Sequence, residues 1–563
     1  MAKQNNIVII GGTACGPKAA ARARRLDQSA KITIIEQREN LSTATCGLPY
    51  FIGGVIKGEK DLVSREVDYF RSVFDMTVFT GTKAVSINPK AHSVEIVDIK
   101  TEKHATLDYD KLVIATGAMP TVPNWEGKDL KGIFTLNNIP DASAIRSYIL
   151  SLKNKEAVIV GAGLIGLEAA ENFVAMGLKV TVLEALGWPL PALLDAEIAA
   201  HVEKHLKSKG VKLMFGQRVT GFRGDNGEVR QVTVGETGLD AGMVLLSLGV
   251  RPNVTLAKEA GLNIGTTGGI AVNEFLQTSD PDIYAGGDCV EMVNLITQKK
   301  TLVPMGSTAN KHGRVIGTNI TGGRDTFPGV VGTGAVKVFD YNVGRTGLNE
   351  AQAKEAGYDI ITSLVPSVDH ATYYPGAKDI LVKLIAEKSS GRLLGGQVIG
   401  TGDTSKRIDV LATALTMGAT ADNLANLDLA YAPPYNSAMD PLHQAANVIR
   451  NKRQGYARAL TPQEVKTKLD KGEKFILLDV RSPMEWKMQR IEAPQVKLLP
   501  LPELHQRMGE LAKDDEIVIL CRSSVRAYQA QRILDGAGFK NVYFMDGSLA
   551  AWPYDTTSSP PEK

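Results

Sequence analysis

Two segments of the chain, 7–36 and 157–184, repeat one pattern, and this pair constrains the fold more than any other sequence feature. Each segment passes from a short apolar run through a glycine-rich turn into a helical stretch, then into a second apolar run that ends at a glutamate. This order is typical of a dinucleotide-binding βαβ unit, whose glycines let backbone N–H groups approach a pyrophosphate and whose acid accepts from ribose hydroxyls. The residues concerned are Gly11, Gly12, Ala14, Gly16 and Glu36 in the first unit and Gly161, Gly163, Gly166 and Glu184 in the second.

The second unit is the more complete of the two, because it carries all three glycines of the G-x-G-x-x-G pattern. The first unit has Thr13 in place of the middle glycine. No arginine follows Glu184 closely, and a 2′-phosphate requires one, so we expect NADH rather than NADPH at the second unit. Two nucleotide sites in one chain predict two nucleotides that exchange electrons.

Composition excludes several classes of protein. The length of 563 residues predicts about three to five domains, and 44% apolar with 22% charged residues argues against wholesale disorder. A net charge of +3 gives no electrostatic argument for a nucleic-acid or anionic-membrane partner, and no apolar run is long enough to span a membrane. The four cysteines favour a reducing cytoplasm. No metal is expected, because no Cys/His cluster has zinc spacing, and His201 and His205 indicate a solvated helix face.

Two further segments carry a family resemblance. The apolar run 112–117 ends in Ala-Thr-Gly, and the run 283–288 ends in Tyr-Ala-Gly-Gly-Asp. Together with the paired βαβ units they resemble the pyridine nucleotide–disulfide oxidoreductases, in which the first unit binds FAD and the second binds NAD(P)H. The resemblance extends over roughly residues 1–450. It implies FAD contacts from Thr116, Gly117, Asp288 and, in a similar segment over 305–310, Ala309.

The resemblance also implies an α/β protein with two Rossmann-like nucleotide-binding domains and an α+β dimerisation domain. A polar, basic stretch follows, and after it Thr461, Pro462 and Glu464 predict a capped helix start of a further α/β domain. The expected boundaries are 1–120 and 251–327 for the FAD-binding domain, 121–250 for the NAD-binding domain, 328–450 for the dimerisation domain, 451–459 for a linker, 460–555 for the last domain and 556–563 for a disordered tail.

Cys46 lies where dithiol members of the family carry C-x4-C, and Phe51 occupies the position of the second cysteine. A single thiol here can cycle as a mixed disulfide, a persulfide or a sulfenic acid, and each form requires a thiolate that nearby positive charge would favour. The single-cysteine branch contains NADH oxidases, NADH peroxidases and coenzyme A disulfide reductases. The oxidases and peroxidases place a histidine where this chain has Ala14, which argues against oxygen or peroxide chemistry.

The run that ends Cys-Gly-Leu-Pro-Tyr around Cys46 resembles the coenzyme A disulfide reductases. That resemblance implies a homodimer in which Tyr373 and Tyr431 reach the partner's cysteine, where a phenol can donate a proton to a leaving thiolate. It also implies coenzyme A contacts from Arg22, Arg25, Ser42, Thr45 and Arg71.

Cys521 follows a buried strand and begins the segment Cys-Arg-Ser-Ser-Val-Arg, which leads into a helix. Backbone N–H groups of such a loop form an anion cradle, and Arg526 adds positive charge. The loop resembles the C-x4-R loop of rhodaneses, as does the D-V-R segment that begins at Asp479. The segment up to Trp552 is similar to the rhodanese closing motif G-G-x-x-A-W, so the resemblance implies a sulfurtransferase domain.

We therefore expect a flavoprotein in which NADH reduces FAD and FAD reduces sulfur bound at Cys46, with coenzyme A as the natural partner. Cys521 would carry sulfane sulfur as a persulfide. Two alternatives remain: an NADH oxidase or peroxidase, and a redox or sulfur sensor that binds partners through the rhodanese-like domain.

Overall fold

A computed structural model describes residues 4–559, which form two compact units. The first unit contains the chain up to residue 186 together with 210–330, and the second contains 187–209 together with the chain from 331 onward. Within residues 4–559, no helix combines the length and the apolar character needed to cross a lipid bilayer.

The first unit contains both glycine-rich segments. Its elements up to residue 184 are β1 (Asn6–Ile10), α1 (Cys15–Leu26), β2 (Lys31–Ile35), α2 (Leu48–Ile52), α3 (Val67–Ser72), β3 (Thr77–Phe79), β4 (Thr82–Asn88), β5 (Ser93–Asp98), β6 (His104–Asp108), β7 (Lys111–Ile114), β8 (Ala118–Pro120), β9 (Ile133–Phe134), α4 (Ile139–Ser151), β10 (Glu156–Val160), α5 (Leu164–Ala175) and β11 (Lys179–Glu184). After α6 (Ala196–Ser208), which belongs to the second unit, come β12 (Lys212–Phe215), β13 (Val219–Asp225), β14 (Glu228–Val234), β15 (Thr237–Asp240), β16 (Met243–Leu246), β17 (Val250–Pro252), α7 (Thr255–Glu259), β18 (Ile283–Ala285), β19 (Met292–Val293), β20 (Lys300–Thr301) and α8 (Gly306–Asn319).

Two five-stranded parallel sheets organise this unit, in the orders β18-β7-β1-β2-β3 and β12-β11-β10-β16-β9. Their central strands are unbroken runs of β-branched and aliphatic residues, which is the composition expected of parallel strands buried on both faces. In the first sheet, α1 and α8 pack on one face, and β4, β5 and α7 cover the other. Both glycine turns therefore lie at the carboxyl ends of parallel strands, where α/β proteins bind nucleotides.

The second unit begins with a five-stranded antiparallel sheet, β21-β22-β25-β24-β23, which carries several helices. These elements are β21 (Gly334–Val338), β22 (Tyr341–Gly347), α9 (Glu350–Glu355), β23 (Ile360–Val368), β24 (Asp379–Glu387), β25 (Leu393–Gly400), α10 (Ser405–Thr416), α11 (Ala421–Ala425) and α12 (Pro441–Arg453). A buried Lys383 on β24 forms ion pairs with Asp195, Glu197 and Glu350, and so ties α6 and α9 to this sheet.

The C-terminal domain is a parallel sheet in the order β26-β30-β29-β27-β28, covered by helices. Its elements are β26 (Ala459–Leu460), α13 (Pro462–Asp470), β27 (Ile476–Asp479), α14 (Pro483–Met488), β28 (Val496–Leu498), α15 (Leu504–Arg507), β29 (Ile517–Leu520), α16 (Val525–Gly536) and β30 (Val542–Met545). The capping box predicted at the start of α13 is present, because the Thr461 hydroxyl accepts from the Glu464 N–H and the Glu464 carboxylate accepts from the Thr461 N–H. Together the three regions confirm the predicted α/β fold class.

Three expectations outside the main sheets need correction. The linker expected at 451–459 is structured at both ends, because α12 continues to Arg453 and β26 begins at Ala459. In the tail expected to be disordered, Thr557 pairs with Arg490 in an antiparallel bridge, while residues 560–563 lie outside the described part of the chain. His201 is half-buried rather than solvated: its Nε2–H donates to the Ala551 carbonyl at 3.1 Å, and the loss of solvation lowers its pKa to about 4.

Candidate active sites

The first glycine turn is closed so tightly that only glycine fits at two of its positions. Gly11 has a φ of +111°, and a Cβ there would lie 2.1 Å from the Ala115 carbonyl oxygen, while a Cβ on Gly16 would lie 1.9 Å from the Gly11 carbonyl oxygen. Glu36 is held by two backbone donors, the N–H of Gly12 at 2.7 Å and the N–H of Arg38 at 2.9 Å.

Beside this turn lies a cavity of about 600 Å³ at the carboxyl ends of β1 and β7. Gly12 and Gly16 shape the turn, and the other predicted FAD contacts line the cavity: Gly11, Ala14, Glu36, Thr116, Gly117, Asp288 and Ala309. A cavity bounded by a glycine turn and a helix N-terminus fits a dinucleotide with a pyrophosphate. Burial raises the pKa of Asp288 to about 6.

Sequence reasoning missed several residues of this cavity, among them Arg38, Lys83 and Asn253. Arg38 stands two residues after Glu36 and could have been named from that position alone. Lys83 lies on β4 and Asn253 follows β17, so only the folded chain places them at the cavity. Their cationic and amide groups suit the polar parts of a dinucleotide.

The second glycine turn repeats the geometry of the first. A Cβ on Gly161 would lie 2.2 Å from the Ser247 carbonyl oxygen, and one on Gly166 would lie 2.2 Å from the Gly161 carbonyl oxygen. Gly163, by contrast, faces open space and has no protein atom within 4 Å of its Cβ position, which leaves its backbone free for close approach by a ligand. Glu184 accepts from the N–H groups of Ala162 and Leu186, both at 2.9 Å, as Glu36 does in the first turn.

Cys46 lies in a short 3-10 helix over Thr45–Gly47, immediately before α2, and is exposed. Its surroundings within the chain are acidic rather than basic, contrary to expectation: partial burial, Glu168 and Asp288 all raise the pKa of the Cys46 thiol. Glu168 projects from α5 and accepts a hydrogen bond from the Tyr50 hydroxyl at 3.1 Å. Burial raises the pKa of Glu168, and burial together with Glu168 raises the pKa of Tyr50.

Tyr50 stands in the run around Cys46 that sequence analysis singled out, but nothing local pointed to Glu168, which lies 118 residues after Tyr50. Glu168 reaches this site because helix α5, which carries it, packs against α2 in the first unit. Sequence reasoning therefore missed the acid that influences the reactive thiol most directly.

The residues predicted to bind coenzyme A differ in the contacts that they already make within the chain. Arg25 is exposed, with its guanidinium 5.2 Å from the centre of the Phe74 ring. Arg22 donates to the Thr318 hydroxyl at 3.1 Å, and Arg71 donates to the Val78 carbonyl at 3.0 Å. Ser42 is half-buried in a left-handed conformation, with a φ of 52°, and Thr45 lines the cavity beside the first glycine turn. Of the three arginines, Arg25 is therefore the one whose charge is most available to an anion.

The structure brings the two predicted tyrosines together: the hydroxyl oxygens of Tyr373 and Tyr431 lie 3.0 Å apart, and this hydrogen bond raises the pKa of Tyr373. Both side chains are exposed. The buried guanidinium of Arg407 holds the two loops that carry them. It donates to the Asp369 carbonyl, which precedes Tyr373 in the chain. It also donates to the Asn436 side chain and forms an ion pair with Asp440 at 3.2 Å, and both of these residues follow Tyr431.

Cys521 lies between β29 and α16, at the carboxyl end of a parallel strand, and is almost fully buried. Arg526, in the first turn of α16, forms a two-point ion pair with Glu485, with N–O distances of 2.6 and 2.9 Å, and interacts electrostatically with Cys521. The guanidinium of Arg526 lowers the pKa of Glu485 to about 2. Beneath the loop, Arg481 and Asp479 form a second, buried ion pair at 2.7 Å.

Family models match three consecutive parts of the chain. Residues 5–313 match the model of the pyridine nucleotide-disulphide oxidoreductases, and residues 333–443 match the model of their dimerisation domain. Residues 461–554 match the rhodanese-like domain.

Similar proteins are known from archaea. One is an NADH oxidase of Methanocaldococcus jannaschii, 36% identical over 78% of this chain and 97% of its own length. Another is an NAD(P)H coenzyme A polysulfide/persulfide reductase of Pyrococcus horikoshii, 36% identical over 79% of this chain and 99% of its own length. Among solved structures, an NAD-dependent persulfide reductase from A. fulgidus is 43% identical with a TM-score of 0.92, covering 97% of this chain and all of that one.

Proposed function

Since the chain belongs to the pyridine nucleotide-disulphide oxidoreductases and carries a rhodanese-like domain, we propose that it uses NADH to reduce coenzyme A persulfide, polysulfide or coenzyme A disulfide. One observation carries the proposal: an exposed single cysteine, Cys46, lies in the same chain as a rhodanese-type cysteine loop, Cys521 to Arg526. The names of the P. horikoshii and A. fulgidus proteins support it.

The residues divide into two nucleotide sites and a sulfur site. FAD is held at the first glycine turn by the cavity residues, and NADH at the second turn by Gly161, Gly163, Gly166 and Glu184. A flavin bound in the first cavity supplies two-electron transfer between NADH and sulfur at Cys46. The lack of an arginine after Glu184 supports NADH over NADPH.

At Cys46 the sulfur chemistry is thiol–disulfide exchange. The Cys46 thiolate attacks the inner sulfur of a coenzyme A persulfide, so that a bond forms between Cys46 and the coenzyme A sulfur as the sulfane sulfur leaves as hydrosulfide. Two electrons then cleave the mixed disulfide and return Cys46 and coenzyme A as thiolates. Arg25 is the arginine whose charge is most available to a coenzyme A phosphate, and Arg22, Ser42, Thr45 and Arg71 are the other proposed coenzyme A contacts.

The active unit in this proposal is a homodimer, in which Tyr373 and Tyr431 of one protomer serve Cys46 of the other. The match to the dimerisation domain and the exposed, hydrogen-bonded pair of phenols support it. Cys521 loads sulfane sulfur from bulky donors in the rhodanese-like domain, with Arg526 in the first turn of the helix that follows it. We place the enzyme in the cytoplasm, as its four free cysteines favour a reducing compartment.

Substitution of the two cysteines tests the division of labour, each variant serving as the control for the other. Cys46→Ser is expected to abolish all NADH-linked sulfur reduction, because no other exposed thiol is present among the described residues. Cys521→Ser is expected to keep coenzyme A disulfide reduction and to lose turnover of bulky sulfur donors. Anaerobic NADH oxidation with each substrate measures both. Full activity of Cys46→Ser, or equal loss on both substrates in Cys521→Ser, contradicts the proposal.

The name of the M. jannaschii relative favours one second candidate, an NADH oxidase. Ala14 argues against it, since the resemblance places a histidine there in oxidases. Oxygen consumption with NADH, measured with and without coenzyme A persulfide, separates the two activities. A sensor, in turn, would show negligible steady-state turnover with every acceptor.

A further inference from the structure

Ser548 occupies a conformation that favours glycine. It follows Gly547, and the two residues have φ values of 50° and 71°, respectively, in the left-handed region. It also stands at the second glycine of the G-G-x-x-A-W pattern that this segment resembles. A non-glycine residue at positive φ is disfavoured and persists only where its side chain makes compensating contacts. The Ser548 side chain is fully buried, so those contacts are with the protein itself.

Those contacts are with the cysteine loop. The hydroxyl oxygen of Ser548 accepts from the N–H groups of Cys521 and Ser524, both at 3.1 Å. A hydroxyl has two lone pairs and one proton, so both acceptor positions are used and the proton remains. Two acceptors lie in its reach, the Met545 carbonyl oxygen at 3.3 Å and the Cys521 sulfur at 3.7 Å.

The Met545 carbonyl has a second donor. The Ser524 hydroxyl donates to it at 3.2 Å, so this carbonyl stays satisfied when the Ser548 proton turns to sulfur. A negatively charged acceptor attracts a hydrogen bond more strongly than a neutral carbonyl. The Ser548 proton therefore turns to sulfur when Cys521 becomes a thiolate.

We propose that Ser548 is a catalytic residue of the rhodanese-like domain, whose hydroxyl donates a hydrogen bond to the Cys521 thiolate and so stabilises the nucleophile. This rests on the proposed role of Cys521 as a sulfur carrier. In that role the thiolate forms a bond to the sulfane sulfur of a donor such as thiosulfate while the donor's own S–S bond breaks and sulfite leaves. A second nucleophile such as cyanide then takes the sulfur as thiocyanate and restores the thiolate, so no external oxidant or reductant is needed.

Other charged groups near Cys521 also act on it. Arg526 interacts electrostatically with Cys521 and is paired with Glu485 on α14, the Arg481–Asp479 pair lies at the end of β27, and Asp546 follows β30. These groups are the same in the wild-type protein and in variants at Ser548. A difference in pH dependence between the wild-type protein and the variants is therefore caused by the loss of the Ser548 hydroxyl.

The test compares Ser548→Ala and Ser548→Gly in the full-length holoenzyme. Both variants lack the proton donor, but alanine keeps the unfavourable φ while glycine relieves it. Thiosulfate-to-cyanide sulfur transfer is measured from acidic to alkaline pH. We expect the acid limb of kcat/KM to move to higher pH by about one unit in both variants. At pH values below the limb, this shift corresponds to a rate about tenfold lower than that of the wild-type protein. The rates should converge at alkaline pH, where the thiolate is complete in every form.

A merely structural role for Ser548 predicts a different result. Loss of loop packing would lower the rate by a constant factor at every pH, and it would affect the two variants differently because they differ in backbone strain. Superimposable pH profiles, or a uniform loss without a shift, overturn the proposal. NADH-linked reduction of coenzyme A disulfide at Cys46 shows in each variant that the protein is folded.

A second readout separates this proposal from the proposed function. The rate of iodoacetamide alkylation of Cys521 is followed against pH by peptide mass spectrometry, and Cys46 in the same sample is the internal control. The Cys521 curve should move to higher pH in both variants while the Cys46 curve does not move. A further outcome is that the wild-type protein transfers no sulfur while its Cys521 alkylation curve still lies at lower pH than the curves of the variants. That outcome supports the hydrogen bond and contradicts the role of Cys521 as a sulfur carrier.

Discussion

At the scale of single residues, the reactive thiol of the first unit has carboxylates as neighbours. Partial burial and the charges of Glu168 and Asp288 raise the pKa of Cys46, although a thiolate is needed for its proposed chemistry. Within the chain, Glu168 therefore disfavours the thiolate form of Cys46, and a hydrogen bond from Tyr50 holds the Glu168 carboxylate in place.

Replacing Glu168 by glutamine is expected to lower the pKa of Cys46, because the variant loses a negative charge that disfavours the thiolate. The acid limb of NADH-linked coenzyme A disulfide reduction should therefore move to lower pH, by up to about one unit. The pH dependence of Cys46 alkylation gives the same quantity without turnover. Glu171→Gln is the matched control, since Glu171 lies on the same helix but raises the pKa of Glu168. A shift to higher pH in Glu168→Gln contradicts the assignment.

At the scale of elements, helix α12 joins the dimerisation region to the C-terminal domain by a buried ion pair. Lys452 in its last turn lies 2.5 Å from the Asp546 carboxylate and also donates to the Thr362 carbonyl on β23. Asp546 directly precedes Gly547 and Ser548, so this contact fixes the segment that holds the cysteine loop. Burial raises the pKa of Asp546, while Lys452 counteracts that effect.

Lys452→Met is expected to lower the free energy of unfolding by about 3–5 kcal/mol at neutral pH, because it leaves the buried Asp546 carboxylate without its cation. Urea unfolding measures the loss. The pKa of Asp546 is already raised in the folded protein and rises further in the variant, so the folded state takes up a proton more readily and the loss should shrink as pH falls towards 5. Asp546→Asn in the Lys452→Met background should recover part of the stability.

Lys466→Met is the matched control, since Lys466 pairs with Asp470 across one turn of α13 in solvent. Its expected cost is below about 1 kcal/mol, in keeping with exposed ion pairs. An equal loss in both lysine variants would show that the Lys452 contact has no special weight.

Elements with a strong local signal were predictable, and those made by distant contacts were not. The two glycine turns and the capping box at Thr461 follow from residues close in sequence, and the structure contains them where expected. The helical character of 451–453, the pairing of Thr557 and the partial burial of His201 depend on contacts supplied by β23, Arg490 and Ala551, respectively. Polar composition alone made these three segments look solvated, because sequence does not show which polar groups find partners.

The candidate site divides in the same way. Cys46 and Cys521 were named from their own loops, and the Tyr373–Tyr431 pair from two segments far apart in sequence. Glu168 and Ser548 were missed, because each reaches its cysteine only through the packing of another element. Residues that tune a nucleophile are therefore harder to find from sequence than the nucleophile itself.

At the scale of the whole molecule, the dimerisation region exposes several large apolar side chains. Exposed fractions reach 74% for Tyr373, 71% for Tyr435 and 78% for Met417. Where such side chains form a contiguous patch, they mark an interaction surface. They support the proposed homodimer, in which the phenols of one protomer complete the sulfur site of its partner.

Mixed dimers give a direct test of a shared site. One parent is Cys46→Ser, and the other carries Tyr373→Phe and Tyr431→Phe together, which keeps both rings but removes their hydroxyls. In a shared site, each mixed dimer contains one site with both defects and one with neither, since the intact cysteine and the intact tyrosines come from different chains. Random mixing of equal amounts should then restore about a quarter of wild-type coenzyme A disulfide reduction, because half of the dimers are mixed and each has one working site. If cysteine and tyrosines act within one chain, no mixed dimer has a complete site, and the mixture will be no more active than the average of its two parents.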